Sequence, residues 1–257
     1  MNWVTKCLAV LWGIFAWLCF GLLVLFMLVV VLVVPSAERR HKLATWTSRM
    51  VFILPMVEVR VTGIDNLPTD DCVVVANHAS YIDGILLKGY LPWRFNFVIK
   101  GEMRNFAPAH FLLRRSGAKF VERSDIKGST RDARQIVKAA LEGESLGFFP
   151  EGTFQEEPGV LQFRPGAFVA ATRSEMPVVP VAIGGSRYML PAKRFLPRRG
   201  PLTIDILPAI APGDPDFETS RGLAEAARQR ILAVLDEPDL LAKDDDPDQD
   251  PDRTMPN

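Results

Sequence analysis

The sequence predicts an α/β fold: a single domain with a largely parallel or mixed central sheet flanked by helices, preceded by an N-terminal transmembrane helix. Two observations lead to this prediction. Seven short apolar or β-branched runs alternate with stretches of helical periodicity, which is typical of strands joined by crossover helices. The second observation is that residues 8–34, which precede these runs, include no charged residue, as expected for a transmembrane helix. A chain of 257 residues is long enough for one such domain with appendages.

The uncharged segment is long enough to cross a bilayer. As a helix, residues 8–34 would extend roughly 40 Å, whereas the hydrocarbon core is about 30 Å thick. A secretory signal has an apolar core of only about 7–15 residues, so residues 1–36 are interpreted as a retained anchor. Only Lys6 precedes the segment, whereas residues 39–42 form a basic cluster after it. The positive-inside rule therefore predicts a single-pass membrane protein with its globular domain on the cytoplasmic face.

Residues 37–55 are predicted to form a second helix. Leu43, Trp46 and Met50 recur at helical spacing until a proline stops the pattern. Because Arg49 and the basic cluster supply a polar face, an amphipathic helix lying at the membrane interface is one interpretation. A helix packed on the globular core is the other, and both keep the domain near lipid.

The globular domain is expected within residues 56–238, with no internal repeat. Its predicted strands are residues 57–61, 73–76, 95–99, 118–121, 146–149, 178–183 and 202–207. Its predicted helices are residues 81–89, 107–116, 128–142, 165–174 and 216–235. Strands that alternate with helices in this way are expected to pair mainly in parallel.

Charge and cysteine content exclude some classes of function. Residues 239–257 contain seven Asp against two basic residues and few apolar ones, which predicts a disordered acidic tail. The formal net charge of the whole chain is zero, which argues against a nucleic-acid binder. Cys7, Cys19 and Cys72 lack the spacing of metal ligands, so they are predicted to be reduced structural residues, and no metal site is expected.

One of the three histidines directly follows a strand that reads as buried. Residues 73–76 are all apolar, and Asn77 and His78 come next, with Asp83 five residues further on. On one helix that spacing separates two side chains by about 140°, so they can meet only if His78 ends the strand and Asp83 begins the next helix. A histidine held by a carboxylate can take a proton from a hydroxyl. For Asp83 an alternative stays open, since Ser80 and Asp83 also match a helix capping box.

Four motifs in chain order resemble those of the glycerolipid acyltransferase family, in particular its lysophosphatidic acid acyltransferase group. They are Asn77 and His78 with Asp83; Gly117, Phe120 and Arg123 in Gly117-Ala-Lys-Phe-Val-Glu-Arg123; Glu151, Gly152 and Thr153 in Phe149-Pro-Glu-Gly-Thr153; and Pro180 in Val179-Pro-Val181. Lys100 and Glu102, and residues 163–168, resemble pieces found between these motifs. The resemblance covers about residues 57–208 and leaves out the predicted anchor and tail.

The resemblance implies direct acyl transfer at a membrane. His78, oriented by Asp83, would deprotonate the free hydroxyl of a lysophospholipid, which would attack acyl-CoA or acyl carrier protein without an acyl-enzyme. The simplest acceptor is 1-acyl-sn-glycerol-3-phosphate, giving phosphatidic acid for phospholipid biosynthesis. The remaining motif residues are expected to bind substrate, with Arg123 on the acceptor phosphate, Glu151 and Gly152 at the acceptor, and Pro180 beside the acyl chain. The implied partners are the bilayer, the lysolipid and the acyl donor; no cofactor is expected, and the sequence assigns no oligomeric state.

The chain departs from the family pattern after Glu151-Gly-Thr153. The family usually has Arg and often Ser there, whereas this chain has Phe154 and Gln155, so a cation that could bind phosphate is missing. Nearby candidates to replace it are Arg164, Arg187, Lys193 and Arg194. Alternatively the acceptor is a lysophospholipid with a larger head group, or a lyso-aminolipid. Two other possibilities are an inactive lipid-binding scaffold and a hydrolase in which water replaces the acceptor.

Overall fold

The computed structural model describes residues 3–121 and 126–241, and for residues 126–130 it describes the backbone only. Its centre is a seven-stranded sheet in the order β1-β7-β6-β2-β5-β3-β4. The strands are β1 (Val59–Thr62), β2 (Val73–Ala76), β3 (Asn96–Lys100), β4 (Lys119–Val121), β5 (Leu146–Phe148), β6 (Val178–Gly184) and β7 (Leu202–Ile206). Neighbouring strands are parallel except for the antiparallel pair of β6 and β7. The predicted α/β class with a mixed, largely parallel sheet is confirmed, and each predicted strand lies within two residues of its observed bounds.

Eight helices surround the sheet in the described part of the chain. They are α1 (Trp3–Val33), α2 (Ala37–Ile53), α3 (Asp83–Tyr90), α4 (Ala107–Arg115), α5 (Ile126–Leu141), α6 (Gly166–Ser174), α7 (Ser186–Met189) and α8 (Ser220–Leu232). Short 3-10 helices cover Ile64–Asn66, Gly101–Asn105 and Pro215–Phe217. The last helix begins later than predicted, because its N-cap is Thr219, whose hydroxyl accepts the Gly222 N–H. The short α7 was not predicted.

Strand β2 is buried on both faces and carries the candidate histidine at its carboxyl end. Val73 and Val75 pack into one apolar core, beneath α5, α6 and α8. Val74 and Ala76 pack into a second core on the other face, which includes residues of α2 and α3. Because β2 lies between β5 and β6, its carboxyl end meets the ends of two parallel neighbours. Ligand sites of open α/β sheets lie at such carboxyl ends.

Helix α1 is docked along the globular body. Its 31 residues are long and apolar enough to cross a membrane. The indole nitrogens of Trp12 and Trp17 donate to the carbonyls of Pro55 and Phe195, both at 2.9 Å. Buried positions recur along one face from Gly13 to Val31, a length of roughly 27 Å at 1.5 Å per residue. The membrane crossing stays a prediction, and this packing adds that the body lies beside the helix over most of its length.

Helix α2 packs on α3 at very close range. A Cβ atom built on Gly89 of α3 would lie 2.8 Å from the backbone nitrogen of Arg49 in α2. The Arg49 side chain donates from Nε to the Gly89 carbonyl at 2.9 Å, and Phe52 is buried in the core. This packing agrees with the interpretation of a helix docked on the globular core. Contact of α2 with a membrane surface stays a prediction.

The prediction that disorder begins at Asp239 is wrong for the first three residues of the tail. The carboxylate of Asp239 pairs with Arg228, a buried side chain of α8, through an N–H···O contact of 3.1 Å. Leu240 packs against Gly159. A buried guanidinium needs a counter-charge, which explains why the chain is held at this point. Residues 242–257 lie outside the described residues.

The close contact of α2 and α3 makes Gly89 a sensitive position. In Gly89→Ala we expect a loss of about 1–3 kcal/mol in the free energy of unfolding, because the added methyl would meet backbone atoms rather than a movable side chain. Urea unfolding in detergent micelles measures this. Gly166→Ala, at a helical position with open space around the Cβ, is the control and should not lose stability. Equal stability of the two variants would contradict the close packing.

Candidate active site

His78 and Asp83 meet at the carboxyl end of β2. His78 Nδ1 lies 2.9 Å from Asp83 Oδ2, with Asp83 fully buried and the His78 side chain 20% exposed. As predicted, His78 follows the strand and Asp83 lies in the first turn of α3. A carboxylate that accepts the Nδ1 hydrogen leaves Nε2 as the basic nitrogen of the ring. The pair therefore has the arrangement of a general base and its orienting group.

Asp83 also caps the turn that precedes α3. Its Oδ2 atom accepts the backbone N–H groups of Ala79 and Ser80 at 2.7 and 2.8 Å, as well as the His78 ring. The predicted capping box is formed in part: Asp83 accepts the Ser80 N–H, and the Ser80 hydroxyl accepts the Ile82 N–H at 3.3 Å while it donates to the Leu190 carbonyl at 2.6 Å. The helix itself begins later than this box implies, with Ile82 as its N-cap residue. The capping and orienting interpretations of Asp83 are therefore compatible, since one oxygen serves both.

The Glu151 carboxylate fixes the backbone of His78 by hydrogen bonds. One carboxylate oxygen accepts the His78 N–H at 2.7 Å, and the other accepts the Leu161 N–H at 2.8 Å. The side chain is 3% exposed, and this burial raises the pKa of Glu151 to about 7, although the two N–H donors favour the charged form. The resemblance placed Glu151 at the acceptor. In the structure both of its oxygens are engaged by backbone, which makes it a positioning residue.

Aromatic rings enclose His78. Phe149 stacks on the imidazole with ring centroids 4.4 Å apart, and Phe154 meets it edge-on at 4.6 Å. Tyr81 in turn packs against Phe154 at 4.7 Å. The residue at which the chain departs from the family pattern therefore lies directly on the candidate base.

The loop that carries Phe154 is fixed by Arg187. The Nη1 of this guanidinium donates to the carbonyls of Gln155 and Glu157 at 2.7 and 2.9 Å, and its Nε and Nη2 atoms donate to the two carboxylate oxygens of Glu237, both at 2.9 Å. Arg187 is thus committed to the loop and is not free to bind a phosphate. Sequence reasoning had offered it as a replacement cation.

The other replacement cations differ in their freedom. Lys193 pairs with Glu156 at 2.9 Å, and the Arg194 Nε donates to the Leu196 carbonyl at 2.7 Å. Arg164 is exposed, and in the described part of the chain its side chain has no hydrogen bond or ion pair. The backbone nitrogen of Arg164 donates to the Pro150 carbonyl at 2.9 Å. Pro150 directly precedes Glu151, so the backbone of Arg164 lies close to that of Glu151.

An apolar cavity of about 510 Å³ lies next to Phe149, the residue whose ring stacks on His78. Tyr81, Gly84 and Phe149 line it near the histidine, and its walls come from α1, α2, α3, α4 and β3. Most of the lining is aliphatic or aromatic, as in pockets that take apolar ligands. We call it the acyl cavity below.

Several of the predicted site residues lie away from His78. Gly117 is at the amino end of β4, where a Cβ atom would collide with Asn96 and His41, and its φ of 93° requires glycine. Phe120 packs edge-on against His110 in a second cavity, of about 840 Å³, along the outer edge of the sheet. Pro180 is buried inside β6 beside Val75 and does not line the acyl cavity.

The remaining predicted residues have varied surroundings. The Asn77 amide bonds the backbone of Ile183 at 2.7 and 3.0 Å, so it extends the pairing of β2 with β6. Lys100 pairs with Glu102 at 3.0 Å at the end of β3. Gly152 has a φ of 77° directly after Glu151, and Thr153 is exposed. Arg123 lies outside the described residues.

Sequence reasoning missed the acyl cavity and the contact of Phe154 with His78. The cavity is built by side chains from five elements far apart in sequence, and no local pattern signals it. The missing charge at Phe154 is visible in the sequence, but the contact of its ring with His78 depends on how the loop folds back. Within residues 3–121 and 126–241, no three His, Cys, Asp or Glu residues lie close enough to hold a metal ion.

Comparisons with known proteins agree with the fold and the motifs. Residues 58–184, almost half of the chain, match the Acyltransferase family. A 1-acyl-sn-glycerol-3-phosphate acyltransferase from Brassica napus is 28% identical over 57% of this chain and 42% of its own length. The enzyme of that name from Saccharomyces cerevisiae is 26% identical over 77% of this chain and 68% of its own. The chain spans about half the length of the first relatives, 42% and 54%.

A solved structure shares the whole architecture. The crystal structure of the 1-acyl-sn-glycerophosphate acyltransferase PlsC from Thermotoga maritima superposes with a TM-score of 0.75 at 22% identity. The superposition covers 89% of this chain and 95% of that one. At this identity the likeness establishes the fold.

The buried carboxyl of Glu151 predicts a pH dependence of stability. Burial raises its pKa from 4.5 to about 7, so folding favours the protonated form. The resulting stabilisation is complete below pH 4.5 and is lost as the pH rises through 7, in total about 3 kcal/mol. Between pH 4.5 and 8, the free energy of unfolding should therefore fall more steeply in the wild type than in Glu151→Gln.

Urea unfolding at a series of pH values measures both slopes. Glu151→Gln is expected to be less stable at low pH, because an amide cannot accept both backbone N–H groups. The exposed Glu157→Gln, in the same loop, is the control and should follow the wild type. Parallel curves for the wild type and Glu151→Gln would show that Glu151 does not titrate in this range.

Proposed function

We propose that the chain is a member of the glycerolipid acyltransferase family, and that it transfers a fatty acyl group from a thioester to the free hydroxyl of a lysophospholipid. The donor is acyl-CoA or acyl carrier protein, and the first acceptor to test is 1-acyl-sn-glycerol-3-phosphate, which would give phosphatidic acid. One observation carries the proposal: His78 Nδ1 is 2.9 Å from a buried carboxylate, and Phe149, whose ring stacks on the imidazole, lines an apolar cavity.

In the proposed reaction, His78 Nε2 takes the proton of the acceptor hydroxyl as its oxygen attacks the thioester carbonyl. Asp83 stabilises the imidazolium that forms, because its carboxylate already accepts the Nδ1 hydrogen. The tetrahedral intermediate then collapses, the C–S bond breaks, and the leaving thiolate takes the proton from His78. The products are a new ester and a free thiol, with no acyl-enzyme and no net change in protons.

The acyl cavity supports the placement of the acyl chain. Its volume of about 510 Å³ falls within the usual range for small-molecule sites, and its lining is mostly apolar. Since Tyr81, Gly84 and Phe149 line it and Phe149 stacks on the imidazole, we propose that a chain that fills it presents its carbonyl beside His78. Burial of the alkyl chain would supply binding free energy at about 25 cal/mol per Å².

The acceptor site is proposed on the exposed side of His78. Arg164 is the described cation best placed for an anionic head group, since its backbone is hydrogen-bonded to Pro150, next to Glu151. Arg123 remains a proposed phosphate ligand from the resemblance. Phe154 favours a second candidate, a lysophospholipid with another head group or a lyso-aminolipid, because an apolar ring rather than a cation lies on the base.

A membrane location is part of the proposal. Large apolar side chains on the outer face of α1 are exposed at three- and four-residue intervals: Leu8, Leu11, Phe15, Leu18, Leu22, Leu25, Val29 and Leu32. We propose that this stripe contacts lipid, and that it holds the site at the bilayer surface, where the lysolipid resides. The cytoplasmic side follows from the basic cluster after α1 and remains part of the same proposal.

Replacement of His78 tests the function. We expect His78→Ala, in a membrane fraction, to lower transfer from acyl-CoA or acyl carrier protein to lysophosphatidic acid by at least about a hundredfold, because the general base is lost. Product formation from radiolabelled donor measures it, and thermal unfolding checks the fold. His110→Ala, a histidine in the other cavity, should retain activity. Full activity in His78→Ala would refute the mechanism, and thiol release that needs no lysolipid would indicate a hydrolase.

Replacement of Phe154 tests the acceptor. Phe154→Arg restores the family's cation beside His78, and we expect it to raise the preference for lysophosphatidic acid over lysophosphatidylcholine at least about tenfold, as one added hydrogen bond to a charged group would. Competition between the two acceptors in one assay measures the ratio. Phe154→Leu removes the ring without adding charge and should leave the ratio unchanged. An equal shift in both variants would mean that ring packing, not charge, sets the preference.

A further inference from the structure

Apolar rings cover most of the candidate base. Asp83 occupies Nδ1 of His78 at 2.9 Å. Phe149 stacks on one face of the imidazole, with ring centroids 4.4 Å apart, and Phe154 meets the imidazole edge-on at 4.6 Å. Only 20% of the His78 side chain remains exposed. The two phenyl rings therefore occupy positions from which bulk water would otherwise reach the imidazole.

Water and the hydroxyl of a lysolipid compete for the same base. In hydrolysis, His78 Nε2 takes a proton from water while the water oxygen attacks the thioester carbonyl. The C–S bond then breaks, and the leaving thiolate takes the proton from His78. The products are a free fatty acid and a free thiol, so the activated acyl group is lost. Water is far more concentrated than any lysolipid, so transfer prevails only where the site excludes water.

Phe154 is suited to exclude water, unlike the arginine that the family usually has at this position. A phenyl ring forms no strong hydrogen bond with water, whereas a guanidinium has five N–H donors that would hold water beside the base. The Phe154 ring also packs edge-on against Tyr81 at 4.7 Å. Since Tyr81 lines the acyl cavity, this aromatic cover borders the proposed place of the thioester.

The position of Phe154 depends on the loop that follows it. Residues 155–158 are exposed, so burial of their side chains does not fix this loop. The Arg187 guanidinium donates to three carbonyls of the loop, at 2.7, 2.9 and 3.4 Å, which belong to Gln155, Glu157 and Gly159. A single side chain thus fixes the backbone at every second residue after Phe154.

Glu237 fixes both Arg187 and the far end of the loop. Its two carboxylate oxygens accept Nε and Nη2 of Arg187, both at 2.9 Å, and one of them also accepts the Gly159 N–H at 3.0 Å. The two side chains of this pair are only 14% and 16% exposed. The other ion pair of the loop, Lys193 with Glu156, is 83% and 59% exposed and contributes little. The Arg187–Glu237 pair therefore dominates, because loss of either partner would leave a largely buried charge without compensation.

The backbone of residues 237–240 supports the same end of the loop. The Val160 N–H donates to the Pro238 carbonyl at 3.1 Å, and the Leu240 N–H donates to the Val160 carbonyl at 3.4 Å. Val160 also pairs with Asp239 in an isolated parallel bridge. This segment, distant in sequence from the loop, therefore forms one side of it.

We propose that Phe154 keeps water from the candidate base and thereby sets the ratio of thioester hydrolysis to acyl transfer, with Arg187 and Glu237 as the positioning residues that hold its loop. Phe154 touches His78, whereas Arg187 and Glu237 act only through the loop. This inference rests on the proposed acyl transfer, because the ratio requires an acyl group delivered to His78.

The test uses the full chain in phospholipid nanodiscs. Radiolabelled palmitoyl-CoA and palmitoyl-acyl carrier protein serve in turn as donor, with the better of lysophosphatidic acid and lysophosphatidylcholine as acceptor. In each reaction the acylated lipid reports transfer and free palmitate reports hydrolysis. We expect Phe154→Ala to raise the ratio of hydrolysis to transfer about tenfold, because water gains access to the base. Phe154→Leu keeps an apolar side chain over the base and should stay within about twofold of the wild type.

Glu237→Gln tests the positioning residues. We expect it to raise the same ratio about threefold, because the loop is no longer held in one position. Amide hydrogen exchange over residues 155–161, measured by mass spectrometry, should be faster in Glu237→Gln but not in Phe154→Ala, whose loop contacts are intact. Glu218→Gln is the matched control, since Glu218 is an exposed carboxylate outside this loop, and it should change neither readout.

The outcomes separate this inference from the proposed function. A merely structural role of these residues would lower hydrolysis and transfer together and leave their ratio unchanged. An unchanged ratio in Phe154→Ala with transfer intact, or the same rise in Glu218→Gln, would therefore overturn the inference and leave the acyltransferase function standing. Thiol release by the wild type with no transfer to either acceptor would remove the proposed function, and with it the ratio on which the inference rests.

Discussion

The active end of the sheet depends on one carboxylate oxygen. Asp83 Oδ2 accepts the ring of His78 and the backbone N–H groups of Ala79 and Ser80 within 2.9 Å. These contacts fix the turn from β2 into α3, the start of the helix and the tautomer of the imidazole at once. Because Asp83 is fully buried, water cannot replace any of them. Loss of this carboxylate would therefore disturb both the turn and the orientation of the imidazole.

A second set of buried contacts holds this turn from the other side of the sheet. Glu151 joins the His78 N–H to that of Leu161, and the Leu161 carbonyl accepts Arg228 of α8 at 3.0 Å. Arg228 is paired with Asp239, so the C-terminal segment reaches the site through three side chains. A buried ion pair contributes little net stability, but breaking one partner is costly. Its effect here is to fix one geometry for the loop behind the base.

The sequence was sufficient for the strands and for the meeting of His78 with Asp83, because both follow from short-range patterns. An apolar run such as Val73–Ala76 specifies a buried strand wherever it is placed, and five residues across a strand-to-helix turn bring two side chains together. The sequence alone could not predict contacts that depend on long-range packing. The positioning role of Glu151 depends on its contact with Leu161, which is ten residues further along the chain. The composition around Asp239 predicts disorder, but in the structure Asp239 pairs with the buried side chain of Arg228.

Helix α1 and the acyl cavity depend on the same packing. Phe20, Leu23 and Met27 of α1 line one side of the cavity. Side chains of the globular domain line its other sides. Without α1 that side would open to water and lose the apolar contacts that a buried alkyl chain needs. A helix whose composition suggests only an anchor thus also forms part of the cavity lining. Because the docking of α1 on the globular domain also forms one wall of the cavity, the proposed membrane attachment and the proposed acyl-chain recognition are expected to be coupled through the packing of α1 on α2.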